Sequence, residues 1–124
     1  MRSLVFCTTC KFADGRQTDQ QGRSAGTLLM GEFLGLLADR ARQDVSVVPH
    51  ACLWNCTRPC SVIIRDSDRY SYVTGGNEPT RAQAEALLAW FDLHGASVLG
   101  EVPFRQWPDG MRGHFIARIP PEQP

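Results

Sequence analysis

The chain has 124 residues, 43% hydrophobic and 21% charged, which are the proportions of one globular domain. Thirteen basic and thirteen acidic side chains cancel, which argues against nucleic acid as an obligatory partner, because that binding needs a basic surface to neutralise phosphates. No apolar run approaches the roughly eighteen residues of a membrane span. The first residues, Met1-Arg2-Ser3-Leu4-Val5-Phe6-Cys7, hold only a three-residue apolar stretch where a secretory signal needs more, so the expected compartment is cytoplasmic.

Leu4-Val5-Phe6 reads as a buried strand that ends in a loop at Cys7. From Lys11 to Arg23 the chain is polar, contains Gly15 and Gly22, and lacks apolar periodicity, so an exposed loop is expected. Ser24 can cap a helix in which Leu29, Phe33, Leu36 and Leu37 share one face, fading near Gln43. Val45 to Val48 is a second strand and leads into Pro49-His50-Ala51. Ser61 to Arg65 and Tyr70 to Val73 are a third and a fourth, joined by the turn residues Asp66-Ser67-Asp68. After the break at Gly75-Gly76-Asn77, Thr80 and Gln83 have the form of a capping box. The helix they open places Leu87, Trp90, Phe91 and His94 on one stripe, with Gly95 placed to stop it.

This order predicts an α/β fold of thioredoxin-like type, a mixed four-stranded sheet (β-α-β-β-β-α) with helices packed on it. Residues 1–95 form the expected domain. Residues 96–124, with five prolines, form an irregular C-terminal extension packed on the same domain and able to add one more strand.

Five cysteines fall in two loops and none in a predicted helix. In a reducing compartment such clustering points to a metal or to redox catalysis rather than to disulfides. Cys7-Thr8-Thr9-Cys10 follows the first strand; Cys52-Leu53-Trp54-Asn55-Cys56 follows the second, with Cys60 after Thr57-Arg58-Pro59. Iron needs soft thiolate ligands, and a [2Fe–2S] cluster needs four. Two loops at neighbouring strand ends can supply them. Spacing leaves open whether Cys52 or Cys60 joins Cys56, since both gaps are three residues. It also leaves open a cysteine-ligated zinc site or a metal-handling protein. A third alternative is a thiol–disulfide oxidoreductase using Cys7 and Cys10, although no helix is expected to start at Cys7.

Cys52-Leu53-x-x-Cys56 followed by Pro59 and Ser61-Val62-Ile63-Ile64 resembles the cluster loop of thioredoxin-like [2Fe–2S] ferredoxins and of the corresponding respiratory complex I subunit. More closely, Val5-Phe6-Cys7-Thr8-Thr9-Cys10, Cys52 to Cys60 and the ending Ala117-Arg118-Ile119-Pro120-Pro121 resemble an uncharacterised bacterial family of small predicted metal-binding proteins. The first cysteine pair is wider in the ferredoxins, and a proline usually stands where this chain has Cys60. The resemblance implies a one-electron carrier rather than an enzyme. Its cluster would be held by Cys7, Cys10, Cys52 and Cys56, with Cys60 as the alternative ligand. A redox partner protein is implied, with no nucleic acid and no membrane, and a homodimer is compatible. Near the loops, His50 is expected to be packed or solvent-facing rather than a ligand, and His94 to meet the last carbonyls of its helix. Arg58 would either offset cluster charge or stand solvated. Trp54 would either shield the cluster or pack in the core.

Overall fold

The computed structural model describes residues 2–53 and 59–121. Along the chain run β1 (Arg2–Cys7), α1 (Ala25–Asp39), β2 (Ser46–His50), β3 (Val62–Asp66), β4 (Ser71–Thr74), α2 (Arg81–Ala96), two 3-10 turns (Phe104–Gln106 and Asp109–Met111) and β5 (Phe115–Ile119). The strands form one mixed sheet in the order β2-β1-β3-β4-β5. β1 pairs with β2 in parallel, Val5 against Val48, and with β3 antiparallel, Val5 against Ile63. β4 and β5 continue antiparallel.

The sheet therefore has five strands where four were expected. The fifth is drawn from the tail by aromatic packing. Trp107 stacks at 5.0 Å on Trp90 of α2 and at 5.2 Å on Phe115 of β5, while Tyr72 meets Trp90 at 5.2 Å. Offset aromatic pairs of this kind bind beyond the area they bury. The Tyr72 hydroxyl accepts the Val102 N–H at 2.9 Å, and the Trp107 indole donates to the Val102 carbonyl at 2.8 Å. Among the described residues no helix is long and apolar enough to cross a membrane.

Both helices begin as their sequences predict. The Ser24 and Thr80 hydroxyls accept the N–H groups of Thr27 and Gln83, each at 3.1 Å. The box at Thr80 is only half made, because the Gln83 amide oxygen accepts from Glu78 N–H and its nitrogen donates to the Gly110 carbonyl. Leu29, Phe33, Leu36 and Leu37 of α1 are buried, as are Leu87, Trp90, Phe91 and His94 of α2. α1 stops earlier than expected. Ala41 takes φ 51, Arg42 N–H bonds to the Leu37 carbonyl and Ala41 N–H to that of Ala38. That is the Schellman closure, here made without glycine. Gly95 does not stop α2, which runs to Ala96 with Ser97 as its cap. A Cβ at residue 95 would lie 2.6 Å from the Arg2 guanidinium, so glycine is there to admit that side chain.

His94 is fully buried, and its ring does not serve the helix carbonyls. Nε2 lies 2.7 Å from the Tyr70 carbonyl, and Nδ1 accepts from Arg2 Nε at 3.1 Å. Arg69 takes the expected role instead, donating to the carbonyls of His94, Gly95 and Ser97. Burial, and then the charges of Arg2 and Arg69, hold the His94 ring below its ordinary value of 6.5. The unfolded chain therefore takes up the proton first, and stability is full above pH 6.5 and falls as pH drops below it. Asp66, whose carboxyl lies below its usual 3.8, adds a loss only in more acid solution. Urea midpoints should thus decline between about pH 7 and pH 5, before the carboxylates titrate. A flat profile over that interval would contradict the neutral, buried ring.

Candidate metal centre

The topology decides which loops can share a site. β1 and β2 are parallel, β3 runs against them and β4 runs with them. The ends of β1, β2 and β4 and the start of β3 therefore lie at one edge of the sheet. That edge carries Cys7 and Cys10, the residues His50 to Leu53, Cys60, and Gly75-Gly76-Asn77.

Cys7 closes β1, with its N–H on the Ser61 carbonyl at 3.1 Å. The turn after it is tied to both neighbours. Thr8 N–H and hydroxyl donate to the His50 carbonyl at 2.9 and 3.2 Å, and the Thr9 hydroxyl donates to that of Ala51. From the other side α1 presses in. Gly26 N–H bonds to the Cys10 carbonyl at 3.3 Å, and the hydroxyls of Ser24 and Thr27 both donate to the Thr8 carbonyl. The polar loop 11–23 thus returns the chain so that the start of α1 meets the cysteine turn through its carbonyls.

Cys7, Cys10 and Cys60 are all buried in the same core cluster, and the Cys7 sulfur lies 3.9 Å from the Thr9 hydroxyl and 4.0 Å from the Ala51 carbonyl. The pair is asymmetric. Burial pushes the Cys7 thiol up, but the Cys10 thiol, the N–H groups of Leu53 and Thr9 and the Thr9 hydroxyl outweigh it and draw it below its ordinary value. Cys10 is pushed up to about 11 by burial and by the proton it shares with Cys7, against N–H groups from Ser61 and Cys60. Cys60 is pushed up to about 12 by burial and by the charges of Cys10 and Cys7. Backbone N–H groups aimed at sulfur favour the thiolate, the form that binds soft metals and attacks disulfides.

Cys52 lies half-buried in the loop after β2, its N–H on His50 Nδ1 at 3.3 Å. His50 is exposed. His114 stands at the same edge, Nδ1 3.1 Å from the Gly75 carbonyl. Trp54, Cys56 and Arg58 lie outside the described residues. Of the four expected ligands the structure buries Cys7 and Cys10 in one cluster and leaves Cys52 in the adjoining loop; Cys60, the expected alternative, is buried in the same cluster as the first two. Among the described residues no three His, Cys, Asp or Glu side chains are arranged as a ready ion site. Two features escaped the sequence reading. Gly26 looked like any helix residue, and Asn77 only like part of a chain break.

Residues 4–121 match the family described as protein of unknown function DUF1636. The chain belongs to that family. No curated protein and no solved structure matches it. The DUF1636 match spans both cysteine stretches, so the expected kinship with an uncharacterised family of small proteins holds.

One contact governs this edge. A Cβ at residue 26 would stand 1.8 Å from the Cys7 carbonyl oxygen, a backbone atom that cannot step aside. Gly26→Ala should therefore destabilise the protein by at least about 3 kcal/mol, the upper end of overpacking costs. Gly31→Ala, in open space on the same helix, should stabilise it by about 0.5–1 kcal/mol. Urea denaturation of both variants checks the pair. A Gly26→Ala protein as stable as wild type would show that α1 can withdraw from the cysteine turn.

Proposed function

We propose that this chain binds a [2Fe–2S] cluster at the cysteine edge and serves as a one-electron carrier on a thioredoxin-like scaffold. The observation that carries the reading is the gathering of Cys7, Cys10 and Cys60 with the Cys52 loop, under N–H groups directed at two of the sulfurs. The donor set fits the group. All candidate donors are thiols, the soft ligands that iron–sulfur clusters take. The strand order β2-β1-β3-β4, with α1 between the parallel pair and α2 after the hairpin, supports the scaffold part.

Cys7, Cys10, Cys52 and Cys56 would hold the cluster, with Cys60 as the alternative. Once bound, the cluster supplies the one-electron couple. The chain's own residues do the rest. N–H groups of Leu53 and Thr9 offset negative charge on Cys7, and those of Ser61 and Cys60 do so on Cys10. Burial of both sulfurs excludes water, and such contacts set cluster potentials.

A specific observation favours a second reading, a thiol–disulfide oxidoreductase. A Cys7 thiol held below its ordinary value, with Cys10 three residues on and pushed up to about 11, has the asymmetry of an attacking thiol and its buried resolving partner. A colourless cysteine–zinc centre is the remaining alternative. Composition separates all three. Protein purified without oxygen from iron-replete cells should be brown and carry about two irons and two sulfides per chain. Cys7→Ser and Cys10→Ser should bleach it. Stoichiometric zinc without sulfide would establish the zinc site. A metal-free protein with a reversible Cys7–Cys10 disulfide would establish the oxidoreductase.

A further inference from the structure

A cleft of about 640 Å³ lies at the cysteine edge, between the loop after β1 and the loop after β4. Small residues keep it open. Ala13 and Gly15 stand on one rim and Gly76 on the other, and the two glycines take φ +93 and +66, a region that favours glycine. The space is of the size that small-molecule sites occupy, about 300–1,000 Å³. The crevice outside the carboxyl ends of strands is also where open α/β sheets take ligands.

The two walls carry opposite chemistry. On the first stands Lys11, half-buried and the only lysine of the chain. Every ion pair among the described residues is made by an arginine, and Lys11 has no carboxylate partner among them. Asp14, on the same wall, is already taken by Arg16 at 2.7 Å. The second wall offers acceptors. Glu78 is exposed and has no cationic partner among the described residues, so it and Lys11 line one cleft without pairing with each other. Next to it, Asn77 is 4% exposed, and its Oδ1 has no hydrogen-bond partner among the described residues. The orientation of that amide is fixed, because Nδ2 donates to the Cys60 carbonyl at 2.8 Å and to the Thr74 hydroxyl at 3.0 Å. Turned over, it would set oxygen against the carbonyl oxygen. Buried acceptors are nearly always paired, so one left open on a cleft wall calls for a donor from outside the chain. The wall is held in place as well. Gly76 N–H bonds to the Pro59 carbonyl at 2.6 Å, and Glu78 N–H to the Gln83 amide oxygen at 3.0 Å.

We infer that this cleft binds a small zwitterion of the amino-acid or short-peptide class, its carboxylate at Lys11 and its ammonium at Glu78 and the Asn77 amide oxygen. A ligand with one charge would cover the opposite wall without compensating it, which is costly. A lysine presents a compact point charge on a flexible stem, which suits a single carboxylate end. The inference goes beyond the cluster reading and does not depend on it, since Lys11, Asn77 and Glu78 are not among the candidate metal ligands.

Calorimetric titration of the full-length protein, as purified, tests it. The probes are alanine and trialanine, each also in N-acetylated and C-terminally amidated form. Both parent molecules are zwitterions, and the tighter of the two identifies the source as a free amino acid or a peptide. Removing either charge from that ligand should weaken binding about tenfold, the scale of one charge-assisted hydrogen bond. Lys11→Met should bind the parent about tenfold more weakly and no longer prefer it to its amide. Glu78→Gln should no longer prefer it to its acetylated form. The ligand arms need no variant, so they test the site even where a substitution disturbs the fold. The inference is overturned if neither alanine nor trialanine binds saturably, if the blocked forms bind as well as the parent, or if a folded variant keeps the wild-type preference. A protein that binds the zwitterion but carries no iron or sulfide would refute the cluster alone, and a brown protein that binds neither parent would refute this inference alone.

Discussion

The approach of α1 to the end of β1 sets the geometry on which everything at this edge depends. A helix can lie against a strand terminus only as closely as its facing residue allows, and Gly26, packed on the Cys7 carbonyl, presents none of a side chain's bulk. That contact lets the first turn of α1 bond the carbonyls of Thr8 and Cys10. With its carbonyls committed to α1, and Thr8 and Thr9 committed to the chain after β2, the cysteine turn has one position left. Its two sulfurs then meet the N–H groups of Leu53, Ser61 and Cys60. The order of causes runs from a missing side chain to a fixed turn and then to the environment of two thiols.

Topology supplies the second constraint. Because β1 is central and bordered by a parallel and an antiparallel neighbour, three connections separated in sequence emerge side by side. The crevice outside the carboxyl ends of parallel strands is where open α/β sheets bind ligands. The opposite edge of the sheet is occupied differently. There Arg2, Asp66, Arg69 and His94 interlock, and the partners are used to close α2 and the β3–β4 turn. One edge is thus committed to structural ion pairs and hydrogen bonds, and the other collects thiols.

Much of this was legible in the sequence. Hydroxyl caps and three- and four-residue apolar spacing located both helices, because those signals are local. Strand runs located β1 to β4 for the same reason. β5 was harder to see, since what orders it is Trp107 and Phe115 packing on Trp90 and Tyr72, contacts that no local window contains. The end of α1 was misplaced because Ala41 adopts a left-handed conformation that glycine would have advertised. His94 was misread because its partners, Arg2 and Tyr70, come from β1 and the end of the β3–β4 turn. At the candidate site the thiols were visible by spacing alone. Gly26 and Asn77 were not, as each matters only through a contact made across the fold.

The energetics of the buried thiols explain why the edge suits a cation or a shared proton rather than free charge. Ionising a buried group without compensation is costly, and burial is the leading cause that pushes Cys10 and Cys60 up to about 11 and about 12. The N–H groups directed at Cys7 and Cys10 offset part of that cost, and the balance lowers Cys7 while Cys10 stays raised. A second and a third thiolate cannot be accommodated by dipoles alone. They require positive charge at the sulfurs, and the chain's formal net charge of zero supplies no general excess of it. Local electrostatics therefore set Cys7 apart from Cys10 and Cys60. With no cation, Cys7 is the more acidic thiol of the pair. On the proposed reading, a soft cation would supply the positive charge that lets more than one of these sulfurs ionise.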